Sequence, residues 1–526
     1  MRLLSQSVLA VMLLGLLRAL SAAAQACPDR PAQGSIVENP FSISSQNGAL
    51  SATLTMSQSV DSFGYTHYCY KYQNGNQVIE APTLRLSPGD QLNLRVVNNI
   101  VNNDDMKMKM KMSGLPGQAC GDGGAETLQS TNVHFHGLNV PPKCHQDDVI
   151  DTLIQPGTPG FQYSIQIPAT EPPGLYWYHP HVHGFTEFQV NGGAAGAIVV
   201  EGMEKYRPEV KGLPERIFVV RQQYLVPWIP GPYQLTLNYV TTPPRFGPSP
   251  PIIQMQDGQK EFWRVANASI QDFLQLEVLE DSQPAPLELI ALDGYPLPQT
   301  RTVTSILVPP AGRAEFIVQA PPVGVSALFY TQQYDTGPTG NADLAGVLAN
   351  IRILPDSPIA LVKKPSVKAP APASALKFSD LASQTVTAHR KLYFSEEFGG
   401  TNGPIQFYIT VDGQKPRVFE PDEEPVIKTK VGAVEDWTIE NRALETHAFH
   451  IHQIHFKLLE VNGIPVTDND LRDTIEIPYW TGTGPYPSVK VRMDFRDPTI
   501  AGTFLFHCHI LLHEDLGMMH KILVEP

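Results

Sequence analysis

Short runs of alternating hydrophobic and polar residues recur along the chain, and turn-forming residues separate them. Alternation with a period of two is typical of β-strands that have one buried face, whereas long stretches with helical periodicity are scarce. The composition agrees with this pattern, since 48 proline and 40 glycine residues favour turns and interrupt helices. The sequence therefore predicts an all-β protein.

The strand pattern repeats in the three thirds of the chain. Residues 174–181 align without gaps on residues 502–509, and the middle third has a counterpart near residues 328–330 that carries no histidine. Three alternating strands also end at an asparagine turn: Asn98, Asn267 and Asn441. We infer that one β-sandwich occurs three times, with the metal chemistry in the first and third copies and the second copy as a spacer.

The length supports this division, because 526 residues correspond to roughly three domains. We predict domains at 27–205, 206–355 and 386–526. Residues 356–385 are rich in proline, alanine and lysine and are predicted to be an extended linker.

The first 26 residues resemble a signal peptide. They contain Arg2, an apolar core and the small-x-small sequence from Ala24 to Ala26. The apolar run is shorter than the roughly 20 residues that span a bilayer, which disfavours a membrane anchor. A lipid-modified Cys27 is also disfavoured by the residues before it. We expect a mature chain that starts at Cys27 and is secreted or periplasmic.

The charge balance excludes some partners. The chain carries 38 basic and 52 acidic residues, a net charge of −14. This acidity disfavours binding to nucleic acid or to an anionic membrane.

An odd number of cysteines follows the predicted signal peptide. Cys508 lies between two histidines, so we take it as a free thiolate. The other four are expected to form two disulfides in an oxidising compartment. Our working pairing, which the sequence does not determine, is Cys27 with Cys69 and Cys120 with Cys144.

Ten of the 16 histidines fall in four short clusters. Residues two apart on a strand project from the same face, so each His-x-His pair directs two imidazoles to one point. A single such pair is commonly incidental, but four pairs with an interposed cysteine indicate a metal site. The eight imidazoles belong to His134, His136, His179, His181, His450, His452, His507 and His509.

A second metal site is predicted on the other face of the last cluster. Cys508 points away from its two histidine neighbours because strand neighbours alternate. His447 has the matching parity, and His513 can reach the thiolate from the following loop. With Met518 as a weak thioether ligand, this set is typical of a blue copper centre. Zinc is the alternative metal, although structural zinc favours closely paired cysteines. The alternative for Met518 is core packing.

Four segments then resemble the copper-binding motifs of the laccase and bacterial multicopper oxidase family: HFHG, WYHPHVHG, HAFHIH and HCHILLHEDLGMM. The resemblance covers essentially the whole mature chain and implies three cupredoxin-like Greek-key β-sandwich domains. It also implies four copper ions. The type 1 ligands would be His447, Cys508 and His513, with Met518 axial; the type 2 ligands would be His134 and His450. One type 3 copper would bind His136, His179 and His509, and the other His181, His452 and His507.

The resemblance implies a laccase-like oxidase that removes single electrons from phenols or aromatic amines and reduces O2 to water. The alternatives are a Cu(I) or Fe(II) metallo-oxidase used for copper tolerance, and a copper-storage protein without turnover. The expected partners are O2 and a small electron donor, with no nucleic acid and no membrane, and the chain is expected to be a monomer.

Three acidic residues are candidates for proton supply. Glu514 follows His513, and an acid at that position is linked to proton supply in the family. Asp147 lies near the place of a second family acid, and Asp148 is the adjacent alternative. All three have an alternative interpretation as solvated loop acids.

Met106, Met108, Met110 and Met112 alternate with lysines. If this segment is extended, its thioethers line one face and are suited to Cu(I). We favour the simpler interpretation, in which the methionines pack on the sandwich and the lysines face water.

Overall fold

The computed structural model describes residues 26–61, 64–100, 120–223, 234–243, 249–355, 378–398, 405–467 and 470–526. Strands dominate these ranges, which confirms the predicted all-β class. Residues 1–25 of the predicted signal peptide, the row of methionines and residues 356–377 of the predicted linker lie outside the described residues.

The first sandwich has one short helix, α1 (Thr186–Asn191), between its last two strands. Its strands are β1 (Ser42–Ser44), β2 (Ala49–Val60), β3 (Thr66–Asn74), β4 (Gln77–Glu80), β5 (Thr83–Leu86), β6 (Gln91–Asn98), β7 (Cys120–Gly121), β8 (His134–His136), β9 (Thr152–Leu153), β10 (Phe161–Gln166), β11 (Gly174–His179) and β12 (Gly196–Val200). They form two five-stranded sheets in the orders β1-β5-β12-β11-β8 and β10-β6-β2-β3-β4, and β7 pairs with β9.

The second sandwich follows two 3₁₀ turns, Met203–Lys205 and Pro208–Val210. Its strands are β13 (Glu215–Gln223), β14 (Gln234–Leu237), β15 (Val240–Thr241), β16 (Ile252–Gln256), β17 (Lys260–Ala268), β18 (Leu274–Glu280), β19 (Gln283–Pro284), β20 (Leu287–Leu292), β21 (Tyr295–Val303), β22 (Ile306–Val308), β23 (Arg313–Gln319), β24 (Ala327–Gln332) and β25 (Gly346–Leu354). The sheet orders are β15-β14-β13-β17-β23-β20-β21 and β16-β25-β24-β18-β19, with β22 beside β18.

The third sandwich contains helix α2 (Leu511–Asp515) and two 3₁₀ turns, Leu381–Ser383 and Pro498–Ile500. Its strands are β26 (Ala388–Phe398), β27 (Ile405–Val411), β28 (Ile427–Lys430), β29 (Ala433–Asn441), β30 (His447–Ile451), β31 (Phe456–Val461), β32 (Ile464–Pro465), β33 (Leu471–Arg472), β34 (Thr474–Ile477), β35 (Ser488–Phe495), β36 (Gly502–Cys508) and β37 (Met519–Glu525). The sheet orders are β27-β26-β29-β35-β31-β32, with β33 beside β31, and β28-β37-β36-β30-β34.

Alternating burial explains the sandwich cores. Strand β10 buries every second residue, so Phe161, Tyr163 and Ile165 point inward while the residues between them face water. Side chains from both sheets of a sandwich meet in one apolar cluster in each of the three copies. Burial of these apolar side chains is the main favourable contribution to folding.

The three repeated asparagines have the same structural role. The side-chain amide of Asn98 donates to Gln129 and Ile154, that of Asn267 to Asp272 and Val308, and that of Asn441 to Glu445 and Ile477. In each case the side-chain oxygen accepts from the backbone N two residues later. Each asparagine therefore ties the end of its strand to two neighbouring backbone segments, which explains why the sequence repeats it.

The cysteine prediction is confirmed. Disulfides join Cys27 to Cys69 and Cys120 to Cys144, and Cys508 is free and buried. Within the described ranges, no helix has the length and apolar character needed to cross a membrane.

The described end of the predicted linker packs onto folded structure. Phe378 and Leu381 are buried in a cluster with Tyr295, Val434 and Leu471, from the second and third sandwiches. This segment therefore joins the two sandwiches through apolar contacts rather than crossing open solvent.

The first and second sandwiches meet through a buried network of ion pairs. Arg85 pairs with Glu201 and Glu215, and Arg264 pairs with Glu215 and Glu315. Glu315 also accepts from the backbone N of Leu175 at 2.8 Å. Because each charge has an opposite partner, the cost of burying it is offset.

A carboxyl pair lies beside the junction of the second and third sandwiches. Asp272 and Asp343 hydrogen-bond each other, and Asp343 also accepts from the backbone N of Phe273 at 2.8 Å. Phe273 belongs to the apolar core of the third sandwich. Burial raises the pKa of both carboxyls, and the charge of Asp272 adds to the rise at Asp343.

The raised pKa values predict that this pair destabilises the fold at alkaline pH. The folded state holds a proton that the unfolded chain releases near pH 4, so stability is lost as the pH rises through neutrality. In Asp343→Asn, the amide donates to Asp272 without ionising. We expect this variant to melt about 2 °C or more above the wild type at pH 8.5, with a smaller difference at pH 5.5.

Melting curves at the two pH values check this expectation. Asp257→Asn, at an exposed carboxyl, is the matched control and should not change the pH dependence. Equal effects of Asp343→Asn at both pH values would contradict it.

Candidate metal centre

Two pairs of adjacent strands bring the four histidine pairs together. In the first sandwich, β8 lies antiparallel to β11, with His134 opposite His179. In the third sandwich, β30 lies antiparallel to β36, with His450 opposite His507. The same strand pairing therefore presents imidazoles from both copies, and these meet at the interface between the sandwiches.

Imidazole rings from the two sandwiches lie in direct contact. The ring centroids of His134 and His452 are 4.0 Å apart, and those of His136 and His450 are also 4.0 Å apart. The ring of His181 lies 5.2 Å from that of His507. All eight predicted cluster histidines are buried.

The structure groups some of these nitrogens more closely than others. Ligand atoms of His181, His452 and His507 lie within 4.8 Å of one another, as do those of His134, His136 and His450. The first group coincides with one predicted type 3 set, whereas the second adds His136 to the predicted type 2 pair. The rings of His136, His179 and His509 have centroids 5.1–5.8 Å apart. The division of ligands among ions stays a prediction.

The mixed cysteine and histidine site lies on the opposite face of β36. The Sγ of Cys508 is 3.6 Å from Nδ1 of His447 and 3.9 Å from Nδ1 of His513. Helix α2 presents His513, whose ring stacks on Phe407 at 4.0 Å.

Met518 is fully buried in the core that contains Cys508. Its backbone N donates to His513, and its carbonyl accepts from the N of Cys508. These bonds fold the segment back against the thiolate. They are compatible both with an axial ligand and with core packing.

The donor atoms fit a soft, imidazole-binding transition metal. Among the described residues, Nε2 of His134, His136, His179, His450 and His509 has no hydrogen-bond partner, although each atom is buried. Buried polar atoms without partners are rare in folded proteins unless a ligand satisfies them. Burial lowers the pKa of all five imidazoles, so their lone pairs are free for a metal.

Asp147 lies within the cluster. Its carboxylate accepts from the backbone N of Phe135, contacts Nδ1 of His134 at 3.0 Å and accepts from Gln453 of the third sandwich at 2.6 Å. Burial raises the pKa of Asp147 well above its ordinary value. Asp148, by contrast, is half-buried and accepts from the backbone N of Asp151. The structure thus brings Asp147, rather than Asp148, to the histidines.

Glu514 lies between two cluster histidines. Its carboxyl oxygens are 3.5 Å from Nε2 of His181 and 3.2 Å from Nδ1 of His507. Burial, followed by the charge of Asp515, raises the pKa of Glu514 well above its ordinary value. Glu514 is therefore a buried acid in contact with the cluster.

Sequence reasoning missed Asp515, although it neighbours Glu514. The carboxyl of Asp515 accepts from the backbone N of Thr186 at 3.0 Å and of Glu187 at 2.8 Å. These bonds join α2 of the third sandwich to the start of α1 in the first. Asp515 thus fixes the helix that carries both His513 and Glu514.

Two glutamates beside the cysteine site were also missed. Glu396 lies 3.4 Å from Nε2 of His447, and Glu445 lies 3.6 Å from Nε2 of His513. The two carboxyls hydrogen-bond each other, and burial with the charge of Glu396 raises the pKa of Glu445 to about 9. Glu445 lies two residues before His447, a signal that sequence reasoning could have used. Glu396 lies on a strand that is distant in the sequence, and no sequence pattern placed it beside His447.

The fold and the donor set define a protein built from repeated β-sandwiches with a metal centre shared between two of them. Two family profiles, both described as multicopper oxidase, match residues 126–205 and 399–526. The chain belongs to the multicopper oxidase family, and the predicted cupredoxin-like fold is confirmed. It is therefore a copper-dependent oxidoreductase with O2 as its electron acceptor.

Individual relatives cover most of the chain at low identity. A multicopper oxidase of Staphylococcus haemolyticus is 24% identical over 88% of this chain and 90% of its own length. A laccase of Bacillus subtilis is 22% identical over 85% and 89%. Among solved structures, a multicopper oxidase of Campylobacter jejuni, described as a metallo-oxidase, has a TM-score of 0.67 with 23% identity and covers 95% of this chain and 98% of that one.

The cysteine site predicts a distinct optical signature. Burial raises the pKa of the Cys508 thiol, so copper must displace its proton to bind the thiolate. We expect copper-loaded wild type to absorb visible light intensely, and Cys508→Ser to lose that absorption, because only this residue offers a thiolate there. Absorption spectra with copper analysis check this. A retained band in Cys508→Ser would contradict the assignment of the blue site.

Proposed function

We propose that this chain is a laccase-like multicopper oxidase that takes single electrons from phenols or aromatic amines and passes them to O2. One observation carries the proposal: His507, Cys508 and His509 are consecutive residues that face two different clusters of metal ligands. Electron donation and O2 reduction are therefore connected through the covalent bonds of three consecutive residues at the end of β36.

The proposed ligand sets follow the family resemblance. We propose four copper ions, one type 1, one type 2 and a type 3 pair. The type 1 ligands are His447, Cys508, His513 and axial Met518, and the type 2 ligands are His134 and His450. The type 3 ligands are His136, His179 and His509 for one ion, and His181, His452 and His507 for the other.

Bound copper supplies one-electron redox chemistry and the site at which O2 is reduced. The protein holds the imidazoles neutral, keeps them in a buried interface and connects them through the backbone of β36. Asp147 and Glu514 lie within hydrogen-bond reach of ligand histidines, so they are the proposed proton carriers. Asp148 is the less favoured alternative, because its carboxylate accepts from the backbone N of Asp151 within its own loop.

The edge of the cysteine site supports an aromatic donor. Glu396 pairs with Phe407 between β26 and β27, and the next pair on the same face of the sheet is Phe398 with Ile405. Phe398 and Ile405 are exposed, as are Leu512 and Leu516 beside His513. A phenol loses a proton when it is oxidised, so apolar walls around two carboxyls fit such a donor.

A metallo-oxidase is the second candidate because the same carboxyls suit a cation. Glu396 and Glu445 lie beside the outer nitrogens of both type 1 histidines. Carboxylate oxygens bind metal ions such as Fe(II) readily, whereas Cu(I) prefers sulfur ligands. This arrangement gives an iron donor more support than a copper donor. A storage protein without turnover is the third candidate. Oxygen uptake with any donor would exclude it, and the lack of uptake with every donor would support it.

Export from the cytoplasm completes the proposal. Two disulfides in the first sandwich favour an oxidising compartment, in agreement with the predicted signal peptide. We therefore propose a secreted or periplasmic enzyme that acts as a monomer on small donors.

Oxygen uptake by copper-loaded protein with a panel of donors tests the function. We expect phenols and aromatic amines to be oxidised faster than Fe(II) or Cu(I). In the double variant Glu396→Gln and Glu445→Gln, loss of the carboxylate charges should slow any Fe(II) oxidation by about tenfold or more, equivalent to about 1.4 kcal/mol. Phenol oxidation should change less.

The matched control is Glu397→Gln, because Glu397 lies on the same strand with its side chain exposed. Faster oxidation of Fe(II) than of phenols by the wild type, lost selectively in the double variant, would favour the metallo-oxidase. No oxygen uptake with any donor would favour storage.

Glu514→Gln tests the proposed proton supply. The amide keeps the shape of the side chain but carries no exchangeable acid, so we expect turnover to fall about tenfold or more while donors still bleach the blue absorption. Stopped-flow absorption and oxygen uptake measure the two steps separately. The control Glu424→Gln is exposed and should behave as the wild type. Unchanged turnover across the pH range would argue against this role.

A further inference from the structure

The second sandwich provides a buried arginine at the histidine cluster. Arg313 begins β23, and its side chain is fully buried. Its Nη1 lies 3.3 Å from Nδ1 of His136, and its Nε donates to the carbonyl of Leu175 at 3.3 Å. The sandwich that carries no cluster histidine therefore contacts a predicted copper ligand of the first sandwich.

The same guanidinium holds a residue of the third sandwich. Nη1 and Nη2 of Arg313 donate to the two carboxylate oxygens of Asp473 at 2.7 and 2.5 Å. The backbone carbonyl of Asp473 accepts from Nδ1 of His450 at 2.9 Å. Because Nδ1 carries the proton in this bond, the lone pair of His450 is on Nε2, which faces the cluster.

Asp293 completes the support from the second sandwich. Its carboxylate accepts from the backbone N of Arg313 at 2.8 Å, of Asp473 at 3.2 Å and of Thr474 at 3.3 Å. Its carbonyl accepts from Nη2 of Arg313 at 2.8 Å. Arg313 and Asp293 together hold the segment that orients His450.

Gly137 packs closely against Arg313 and Asp473. Gly137 follows His136 and has a φ of +89°. A Cβ at this position would collide with the guanidinium of Arg313 and the carboxylate of Asp473. The glycine of the first sandwich, the arginine of the second and the aspartate of the third thus meet at one point beneath the histidines.

We propose that Arg313 is a positioning residue for the type 2 copper site, acting on the ligand His450 through Asp473. This inference rests on the proposed copper assignment. It gives the second sandwich a part in the chemistry, since that sandwich sets the geometry of ligands that the other two supply. Groups that orient metal-binding histidines typically change metal affinity 10–100-fold when they are removed.

A purely structural role is the competing explanation, and Arg264 provides the matched control. Arg264 is also a fully buried arginine of the second sandwich, and its carboxylate partners are Glu215 and Glu315. Among the described residues, its hydrogen bonds go to these two glutamates and not to a cluster histidine. Loss of either guanidinium removes positive charge from beside buried carboxylates, so both substitutions should destabilise the fold.

The experiment compares copper-loaded wild type, Arg313→Met, Arg313→Lys and Arg264→Met by electron paramagnetic resonance, copper retention against a chelator and melting temperature. We expect Arg313→Met to change the hyperfine pattern of the type 2 signal and to weaken copper retention about 10–100-fold, while the type 1 signal persists. Arg313→Lys should restore part of the stability but not the type 2 signal, because one ammonium group cannot bond both carboxylate oxygens in a fork. Arg264→Met should lower the melting temperature alone.

Asp473→Asn is the milder variant if Arg313→Met does not fold. It keeps the backbone carbonyl that accepts from His450 but weakens the bond to Arg313, so a smaller change in the same signal is expected. An unaltered type 2 signal and copper retention in the folded Arg313 and Asp473 variants would overturn the inference, as would an equal change in Arg264→Met. Absence of a type 2 signal from copper-loaded wild type would instead overturn the proposed copper assignment.

Discussion

The alternation of side chains along strand β36 is the constraint on which the metal centre depends. His507 and His509 share one face, and Cys508 has the other. The strand is central in its sheet, between β30 and β37, and the side chains at its end are buried on both faces. One face meets the imidazoles of the first sandwich, and the other meets His447 and His513. A shift of one residue would exchange the thiolate and the imidazoles between the two sites and remove both.

The interface between sandwiches follows from the same constraint. The first and third sandwiches each contribute half of the histidine cluster, so these two copies must lie side by side. The second copy was expected to be a spacer, yet its Arg313 and Asp293 reach the cluster. Charges are costly to bury without partners, and here each has one in another sandwich. The registration of three domains therefore depends on polar contacts at the site as well as on apolar packing.

The sequence predicted what local periodicity determines. The histidine pairs and the opposite direction of Cys508 follow from a period of two, the repeated asparagines follow from the threefold repeat, and the structure agrees with each of them. The disulfide pairing was also correct, although spacing alone did not determine it. Glu396, Arg313 and Asp473 were missed because their roles come from contacts between distant strands. The choice between Asp147 and Asp148 depended on which carboxyl the loop turns toward His134. The sequence could not distinguish them because the two residues are adjacent and of the same type.

The buried acids and bases of the cluster respond to burial in opposite directions, and both responses favour neutral groups. Burial lowers the pKa of the imidazoles and raises that of Asp147 and Glu514. The histidines favour folding above their ordinary pKa near 6.5 and lose that contribution as the pH falls, since the unfolded chain then binds protons more readily. Acid therefore opposes folding and copper binding through the same imidazoles. Once cations are bound, their charge stabilises the ionised carboxylates, so copper loading and proton release at Asp147 and Glu514 are coupled.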